Sequence, residues 1–273
     1  MVEVLPTVNR KEIHEANIAV HRSEAAYYEM FHPEVYGKQE QNRINLTLQK
    51  ASNLIRNNRK KALDIGAGTG NITDKLLVLG YNVTAVDISA EMCQILRNKN
   101  KPFQRKKQLT IVNSPIEDVH FKKDDFDLIT GFSVLHHLPD YAGTLRGLLG
   151  FLRKGGVMYL DHEASPYYWE NEPTILANLV KSIYFHSNPL INTLHFQIIG
   201  VKIPSFDYTL SDYWHKKDHP LDHKEIEKAF RSEHFSFFSR IDYHIKGTWL
   251  FNPIFPIYER TCHPEMSLWI AKK

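Results

Sequence analysis

A strand, a glycine turn and a helix follow one another directly in this chain, and this succession constrains its fold more than any other feature. The strand is predicted over the apolar segment from Ala62 to Ile65. Three alternating glycines follow it, at Gly66, Gly68 and Gly70. Apolar residues at helical spacing come next, and they are Ile72, Leu76, Leu77 and Leu79. Such a succession is typical of the nucleotide-binding corner of a doubly wound α/β sheet, where glycine lets the main chain turn sharply and lie against a ligand.

Two carboxylates at predicted strand ends indicate which kind of nucleotide this corner binds. Asp64 lies at the end of the first strand, where it would repel a pyrophosphate but suits a cationic ligand. Asn71 stands where the dinucleotide fingerprint has its third glycine. The segment from Val83 to Asp87 predicts the next strand, and Asp87 occupies the place from which a carboxylate binds ribose hydroxyls. The pattern therefore favours a cationic ligand that carries a ribose.

The segment from Asp64 to Gly70 reads Asp-Ile-Gly-Ala-Gly-Thr-Gly. Together with Asp87 it resembles the cofactor-binding motifs of the class I S-adenosylmethionine (SAM) dependent methyltransferases. The resemblance covers residues 61–163 specifically and the C-terminal part by pattern only. It implies an α/β fold with a Rossmann-like seven-stranded sheet, an antiparallel last strand, N-terminal helices and a helical cap insertion. It further implies a methyltransferase that uses SAM and releases S-adenosylhomocysteine (SAH).

The resemblance also assigns cofactor contacts to the ends of the predicted strands. In the family, the loop after the third strand holds the adenine with an acid, but Ser114 and Pro115 stand at that place here. Contact with the base is then expected from the backbone of Ile116 or from the acids that follow it. Tyr28 is expected at the methionine end of SAM, with core packing as the alternative. The expected cofactor-binding residues are Tyr28, Asp64, Gly66, Ala67, Gly68, Gly70, Asp87, Ile88, Ile116, Glu117, Gly131 and Phe132.

Methyl transfer from a sulfonium depends mainly on holding the nucleophile, the methyl carbon and the sulfur in line within a dry pocket. A hydroxyl nucleophile would in addition be helped by a base. His162 is the first candidate for this base, because it follows the fifth predicted strand and a histidine ordinarily titrates near neutrality. Glu163 is the second candidate and His137 the third. A structural role, with the histidine bonded to the cap, is the alternative for His162.

The adjacent pair His136 and His137 raises the question of a metal ion. Neighbouring residues on a helix point about 100° apart, so they rarely bind one ion together. The pair also occurs, without a metal, in the family that the chain resembles. The sequence therefore predicts no metal site.

Four segments are predicted around the glycine turn. Residues 1–60 form helices that pack on the core and, in the family, close over the cofactor. Residues 61–163 form the SAM-binding α/β core, and residues 164–221 form a cap or substrate insertion. Residues 222–273 add a helix and the strands that close the sheet.

The cap segment is rich in aromatic residues, which predicts a small-molecule substrate with apolar or aromatic parts. The alternative is that these rings form a small core of the cap itself. A helix is predicted to start at Glu172 and Pro173. Its apolar face is predicted to consist of Ile175, Leu176, Leu179, Val180 and Ile183. The aromatic residues are Tyr167, Tyr168, Trp169, Tyr184, Phe185, Phe196, Phe206, Tyr208, Tyr213 and Trp214.

Composition argues against several classes of protein. Of the 273 residues, 42% are hydrophobic and 24% are charged, and the net charge of +3 is too small to indicate a nucleic-acid surface. The apolar runs are shorter than the ~18 residues of a membrane span, and no signal peptide is seen, so a cytoplasmic protein is expected. Only two cysteines are present, and Cys93 is predicted to lie in the core.

The sequence thus predicts SAM-dependent methyl transfer to an oxygen, nitrogen or carbon atom of a small molecule. Motifs for methylation of DNA amino groups and of cytosine C5 are missing from it. Three alternatives remain open at this point. They are a SAM-binding partner protein without catalysis, an RNA methyltransferase and, from another class, a nicotinamide oxidoreductase.

Overall fold

A seven-stranded mixed sheet forms the centre of the computed structural model, which describes residues 9–170, 174–180, 208–232, 235–245 and 255–273. The strands are β1 (Lys61–Ile65), β2 (Asn82–Asp87), β3 (Leu109–Asn113), β4 (Phe126–Phe132), β5 (Leu152–Ala164), β6 (Phe237–Tyr243) and β7 (Met266–Lys272). Their order is β3-β2-β1-β4-β5-β7-β6. Strands β1 to β5 are parallel, and β7 is antiparallel to both of its neighbours. This topology confirms the predicted Rossmann-like sheet with an antiparallel last strand.

Helices flank the sheet in the order expected for a βα alternation. They are α1 (Arg10–Glu24), α2 (Tyr28–Phe31), α3 (Pro33–Tyr36), α4 (Lys38–Asn53), α5 (Asn71–Val78), α6 (Ala90–Lys99), α7 (Lys101–Arg105), α8 (Tyr141–Phe151), α9 (His223–Ser232) and α10 (Phe255–Thr261). Residues 175–180 are also helical. Ser89 caps α6 by accepting a hydrogen bond from the backbone N–H of Met92.

Two apolar clusters lie on the two faces of the sheet. Along β1, Leu63 and Ile65 belong to the cluster that α8 and α9 cover, and Ala62 belongs to the cluster that α4 and α5 cover. The alternation follows from the period of two residues along a strand. Because these helices cover the faces, the carboxyl ends of the parallel strands remain as the edge at which a ligand can approach the sheet.

Helix α1 has an unusual buried face, which explains its weak apolar periodicity. The face consists of Ile13, Asn17, Val20 and Glu24, so that two of its four residues are polar. A helix that packs polar side chains towards the protein commonly lies over a polar cavity instead of an apolar core. Residues 25–27 form a 3₁₀ turn that separates α1 from α2.

Strand β5 is long and continues as far as Ala164. Its pairing with β7 shifts register between Leu160 and Glu163, and His162 within this bulge has a φ of 63°. A positive φ is uncommon for a residue other than glycine and persists only where the surrounding structure holds it. The bulge turns the end of β5 towards the edge where a ligand can approach.

The described part of the cap corrects one expectation. Ile175, Leu176 and Leu179 are exposed, with Ile175 at 91%, whereas Ala177 and Val180 are buried. The buried residues pack on Phe255, Tyr258 and Cys262. The predicted apolar face is therefore wrong for three of its residues, because the helix packs through the opposite side against α10. Glu172, Pro173, Ile183, Tyr184, Phe185, Phe196 and Phe206 lie outside the described residues.

Cys93 is fully buried, as the sequence predicts. Within the described ranges, none of the helices combines the length and the apolar character that crossing a membrane would require.

Candidate cofactor and substrate site

The glycine turn adopts backbone angles that only glycine accepts without strain. Gly66, Gly68 and Gly70 have φ values of 59°, 54° and 105°. A Cβ at Gly66 would come within 2.4 Å of Val134 Cγ2, whereas a Cβ at Gly68 would meet no protein atom within 4 Å. Gly68 lines two cavities, so a Cβ there would stand in open cavity space. The turn therefore exposes its backbone to a ligand at Gly68.

A narrow cavity follows the ends of β1, β2 and β3. It is lined by Gly66, Gly68, Val86, Asp87, Ile88, Ser114, Pro115, Ile116, Glu117, Phe132, Ser133, Val134, His137 and Leu138, and by His14, Asn17, His21 and Tyr28 from the N-terminal helices. Val86, Val134 and Ile116 give it apolar walls, and Asp87 gives it a carboxylate at one end. We call this space the nucleoside cavity.

Asp87 is buried at the end of β2 and fixes the glycine turn. Its Oδ2 accepts a hydrogen bond from the backbone N–H of Gly68 at 2.8 Å, and its Oδ1 accepts one from Ser89 at 2.8 Å. Burial raises the pKa of this carboxyl, while His21 and the two backbone donors act in the opposite direction. A carboxylate has about four lone-pair sites, so two remain for further donors.

Asp64 lies at the edge of a second cavity but is already bonded on both oxygens. Thr73 Oγ1 donates to its Oδ2 at 2.5 Å, and Thr130 Oγ1 donates to its Oδ1 at 2.8 Å. Burial raises its pKa to about 6, although the two threonines lower it. The structure thus joins Asp64 to the start of α5 and to β4.

The second cavity is larger, with a volume of about 570 Å³, and it adjoins the nucleoside cavity. The two share His21, Tyr28, Gly66, Gly68, Phe132, Ser133 and His137. Aromatic rings from the N-terminal helices, β4 and the cap line the larger cavity, and they are Tyr28, Tyr36, Phe132, Tyr168 and Tyr208. Acidic side chains also line it, namely Glu24, Glu34, Asp64 and Asp212. We call this space the acceptor cavity.

His162 lines the acceptor cavity and is held on two sides. Its ring stacks on Phe132 with the centroids 4.8 Å apart and the planes 11° apart. Its Nδ1 lies 3.2 Å from the hydroxyl of Tyr243, which donates its own proton to Asp161. Nδ1 must therefore carry the proton of this contact, which leaves Nε2 as an acceptor. Burial lowers the pKa of His162 to about 3, so the expectation that it titrates near neutrality is wrong.

Glu163 does not line either cavity. One carboxylate oxygen accepts hydrogen bonds from the backbone N–H groups of Val134 and Leu135, and the other lies 2.7 Å from His136 Nδ1. The His136 contact and these donors lower the pKa of Glu163 against the effect of burial. Glu163 thus fixes the 3₁₀ turn after β4 and has no oxygen free towards a substrate.

His137 lines both cavities, and its Nδ1 lies 2.8 Å from the carbonyl oxygen of Ser211. Burial lowers its pKa well below the ordinary value, and the neighbouring His136 lowers it further. The 3₁₀ turn brings the ring centroids of His136 and His137 to 4.1 Å from each other. One possible metal-ligand atom from each of His136, His137 and Asp212 lies within 4.8 Å of the other two. The argument that adjacent histidines point apart is therefore wrong here, although both Nδ1 atoms already have partners.

The structure brings most of the predicted cofactor residues to the two cavities. Tyr28, Asp64, Gly66, Ala67, Gly68, Asp87, Ile88, Ile116, Glu117 and Phe132 line one or both of them. Gly70 and Gly131 line neither. Gly70 precedes α5 as its N-cap, and a Cβ at Gly131 would meet Val134 at 2.8 Å inside the sheet.

Several lining residues were not predicted from the sequence. His14, Asn17 and His21 come from α1, and Asp212 and His215 come from the cap. The signal for the first three was the spacing of polar residues on one face of a helix with little apolar periodicity. No sequence signal separates Asp212 or His215 from an ordinary polar loop residue.

Comparison with families of known proteins gives one match, in which residues 63–160 match a family described as a methyltransferase domain. The ubiquinone biosynthesis O-methyltransferase of Vibrio parahaemolyticus is 29% identical over 121 residues, which are 44% of this chain and 49% of that protein. The enzyme of the same name from Actinobacillus pleuropneumoniae is 28% identical over 122 residues, 44% of this chain and 51% of that protein. The chain spans about half the length of these curated relatives.

Solved structures of methyltransferases have the same fold. A SAM-dependent methyltransferase from Mesorhizobium loti has a TM-score of 0.54 at 16% identity and covers 82% of this chain and 96% of its own. Phosphoethanolamine N-methyltransferase 2 of Haemonchus contortus, in complex with SAM, has a TM-score of 0.59 at 12% identity. The match covers 97% of this chain and 60% of that one. Magnesium protoporphyrin IX methyltransferase of Synechocystis, with bound SAH, has a TM-score of 0.53 at 13% identity. The match covers 94% of this chain and 99% of that one. At these identities the likeness concerns the fold.

Proposed function

We propose that this chain, which carries a class I SAM-dependent methyltransferase domain, transfers the methyl group of SAM to a small molecule bound in the acceptor cavity. The observation that carries the proposal is the contiguity of the two cavities, which meet at Gly66, Phe132 and Ser133. A nucleoside in the narrow cavity would direct its 5′ substituent towards the larger one. The relatives that carry the same domain are named as methyltransferases of small molecules, which supports this reading.

SAM suits the residues that line the nucleoside cavity. Gly68 leaves open the space that a Cβ would fill, so a ligand can lie directly against the backbone. Asp87 retains acceptor sites for the two ribose hydroxyls after its bonds to Gly68 and Ser89. Ile88 and Ile116 provide apolar surface on which a purine can stack. Tyr28, Asp64 and Phe132 would then face the methionine part.

We assign the predicted segments accordingly. Residues 1–60 close over the cofactor, residues 61–163 hold it, and residues 164–221 bound the acceptor. The rings of Tyr168 and Tyr208 from this last segment line the acceptor cavity, which supports an acceptor with an apolar or aromatic part. Residues 222–273 complete the sheet and carry Tyr243, the partner of His162.

Bound SAM supplies an electrophilic methyl group on a sulfonium. The chain contributes mainly orientation, since holding an acceptor atom in line with that methyl supplies roughly 7–11 kcal/mol. Side chains of α2, α3 and the cap line the acceptor cavity. Because positive charge at the sulfur disappears during transfer, the neutral rings of this cavity suit the reaction better than fixed cations would.

We propose His162 as the group that accepts a proton from a hydroxyl acceptor. Its Nδ1 is anchored to Tyr243, which leaves Nε2 as the acceptor. His137 is the second candidate because it also lines the cavity with its Nδ1 anchored. Glu163, whose oxygens are all bonded, orients His136 instead of acting as a base.

The activity is tested by incubating the purified protein with SAM labelled in the methyl group and fractionated small-molecule extracts. We expect SAH to form and label to enter a small molecule. The His162→Gln variant should then transfer the label to a hydroxyl acceptor about 10²-fold more slowly with the affinity for SAH unchanged. Loss of SAH affinity in this variant would assign His162 to cofactor binding instead.

Three outcomes would contradict the proposal. Binding of SAM without SAH formation in any extract would indicate a partner protein without catalysis, and label entering only RNA would indicate an RNA methyltransferase. Stronger protection against thermal unfolding by NADH than by SAM would indicate an oxidoreductase.

A further inference from the structure

Asn17 has a buried acceptor atom without a partner in the nucleoside cavity. The residue is 3% exposed and lines that cavity from α1. Its Nδ2 donates to the carbonyl oxygens of Ile13 at 2.9 Å and of His137 at 3.1 Å. Its Oδ1 has no hydrogen-bond partner among the residues that the structure describes. A buried acceptor left unmatched costs about 1–3 kcal/mol, so such an atom calls for a donor.

The orientation of this amide is fixed by its neighbours. Both partners of Nδ2 are carbonyl oxygens, which accept hydrogen bonds only, so the opposite orientation would place Oδ1 against two acceptors. Both hydrogens of Nδ2 are used in these bonds. Asn17 can therefore offer the cavity one acceptor and no donor.

Helix α1 lies lengthwise over the nucleoside cavity, and its contacts locate Asn17 along it. At the start of the helix, Arg10 Nη2 bonds Asp118 at 2.6 Å, and His14 Nε2 lies 3.4 Å from Glu117. Both acids belong to the 3₁₀ turn Ile116–Asp118 after β3. One turn beyond Asn17, His21 is close enough to Asp87 to lower the pKa of its carboxyl. Asn17 thus lies between the loop after β3 and the acid at the end of β2.

An adenosine has only two kinds of donor, the ribose hydroxyls and the exocyclic amino group of the base. Asp87 is the acceptor that suits the hydroxyls, which leaves the amino group for the other end of the cavity. At that end, Ser114 stands where the resemblance leads one to expect an acid, and its hydroxyl donates to the carbonyl oxygen of Pro115. Asp118 does not line the cavity and is paired with Arg10.

We propose that Asn17 Oδ1 accepts a hydrogen bond from the exocyclic amino group of the adenine of SAM and SAH, replacing the acid that is missing at Ser114. The inference rests on the proposed function only in that it takes SAM as the ligand. It assigns to α1 a share in selecting adenine, beside its share in covering the cavity. Glu117 is the competing acceptor, since it also lines the cavity, but it faces His14.

The test compares SAH with its 6-deamino analogue, in which hydrogen replaces the amino group and the acceptor at N1 is kept. Titration calorimetry on the full chain should give an affinity for SAH about 5- to 20-fold higher than for the analogue. In Asn17→Leu this ratio should fall to about one, because leucine offers no acceptor to the amino group. If the role of Asn17 were purely structural, Asn17→Leu would weaken the binding of SAH and of the analogue equally and leave the ratio of their affinities unchanged.

Asn100→Leu is the matched control. Asn100 is also buried, and its Nδ2 also donates to the carbonyl four residues earlier, at Leu96, and to Asp74, but it lines neither cavity. This variant should keep the wild-type ratio even if it is less stable.

The outcomes separate the two proposals. Equal binding of SAH and its analogue by the wild-type protein would overturn the role of Asn17. The role of Asn17 would also be overturned if Glu117→Gln lost the preference for SAH over the analogue while Asn17→Leu kept it. Failure of the wild-type protein to bind SAH at all would overturn the proposed function instead.

Discussion

Gly68 meets two separate demands, one from the backbone and one from the ligand. Its φ of 54° lies in the left-handed region, and a Cβ there would meet no protein atom within 4 Å. The Gly68→Ala change should therefore cost about 1–2 kcal/mol of unfolding free energy through backbone strain alone. It should also weaken SAH binding more than about tenfold, because the methyl group occupies cavity space. Urea unfolding and calorimetry measure the two effects independently.

Gly155→Ala is the matched control for this change. Gly155 has a φ of 77° and equally open surroundings, but it lies near the start of β5 and lines neither cavity. It should lose a similar amount of stability and bind SAH as the wild type does. Unchanged SAH affinity in Gly68→Ala would mean that the ligand does not lie against this turn.

What the sequence reveals at single residues depends on how local the cause is. Asp87 could be predicted because its place at the end of a strand is set by the residues next to it. Asn17 could not, because its position results from packing with His137, 120 residues away in the chain. The pKa of His162 was misjudged for the same reason, since its buried ring packs on Phe132 and bonds Tyr243, both distant in the chain.

Two ion pairs that tie helix α1 to the rest of the protein lie at the protein surface. The ion pair between Arg10 and Asp118 is about half exposed, and so is the arginine in the pair between Arg22 and Glu91. Exposed pairs of this kind contribute below about 1 kcal/mol each. We therefore expect α1 to open locally at a lower free energy than the sheet does.

Binding of SAH should close α1. If opening of α1 releases the ligand, SAH at 100 times its dissociation constant should slow amide hydrogen exchange in Arg10–Glu24 about 100-fold. Helix α8, whose residues line neither cavity, should be affected far less and serves as the internal control. Equal protection of α1 and α8 would indicate that the ligand stabilises only the whole fold.

Elements were predicted best where one pattern determines both the type and the buried face. Of the five parallel strands, β1, β2, β4 and β5 bury most of their residues, and the order of all five follows from the βα alternation. The helix at 175–180 shows the opposite case. Its buried side contains the small Ala177, which packs on α10. A helix face cannot be assigned by hydropathy when the partner element is unknown.

Considered as a whole, the molecule keeps several uncharged histidines around its acceptor cavity. Burial lowers the pKa of His162 to about 3 and that of His215 to about 4, and it lowers the pKa of His137 as well. In the unfolded chain these rings titrate near 6.5. Between about pH 4 and 6.5 the unfolded state therefore binds protons that the folded state does not, and the folded state loses stability as the pH falls.

The contribution of one such ring can be measured with His215→Phe. His215 contacts the rings of Tyr168 and Trp169, so phenylalanine should pack in its place. Between pH 6.5 and 4, the free energy of unfolding of the wild type should fall more steeply than that of the variant, by about 1.4 kcal/mol per pH unit. Over this pH range the two proteins should therefore diverge by about 3 kcal/mol. Above pH 6.5 the two curves should run parallel. Urea unfolding at a series of pH values gives this difference directly.

Two features make the comparison decisive. Asp64, whose pKa is raised to about 6, binds a proton on folding, so its effect on the pH dependence of stability is opposite to that of the histidines. Because both proteins contain Asp64, this effect cancels when their stabilities are subtracted. Tyr168→Phe changes a ring in contact with His215 without removing a group that titrates there, so its pH dependence should match the wild type. If His215→Phe and the wild type lose stability in parallel down to pH 4, then His215 is charged in the folded protein. In that event His215 would add a positive charge to the acceptor cavity below neutral pH. The lining rings would then all be neutral, as proposed for the loss of the sulfonium charge, only at higher pH.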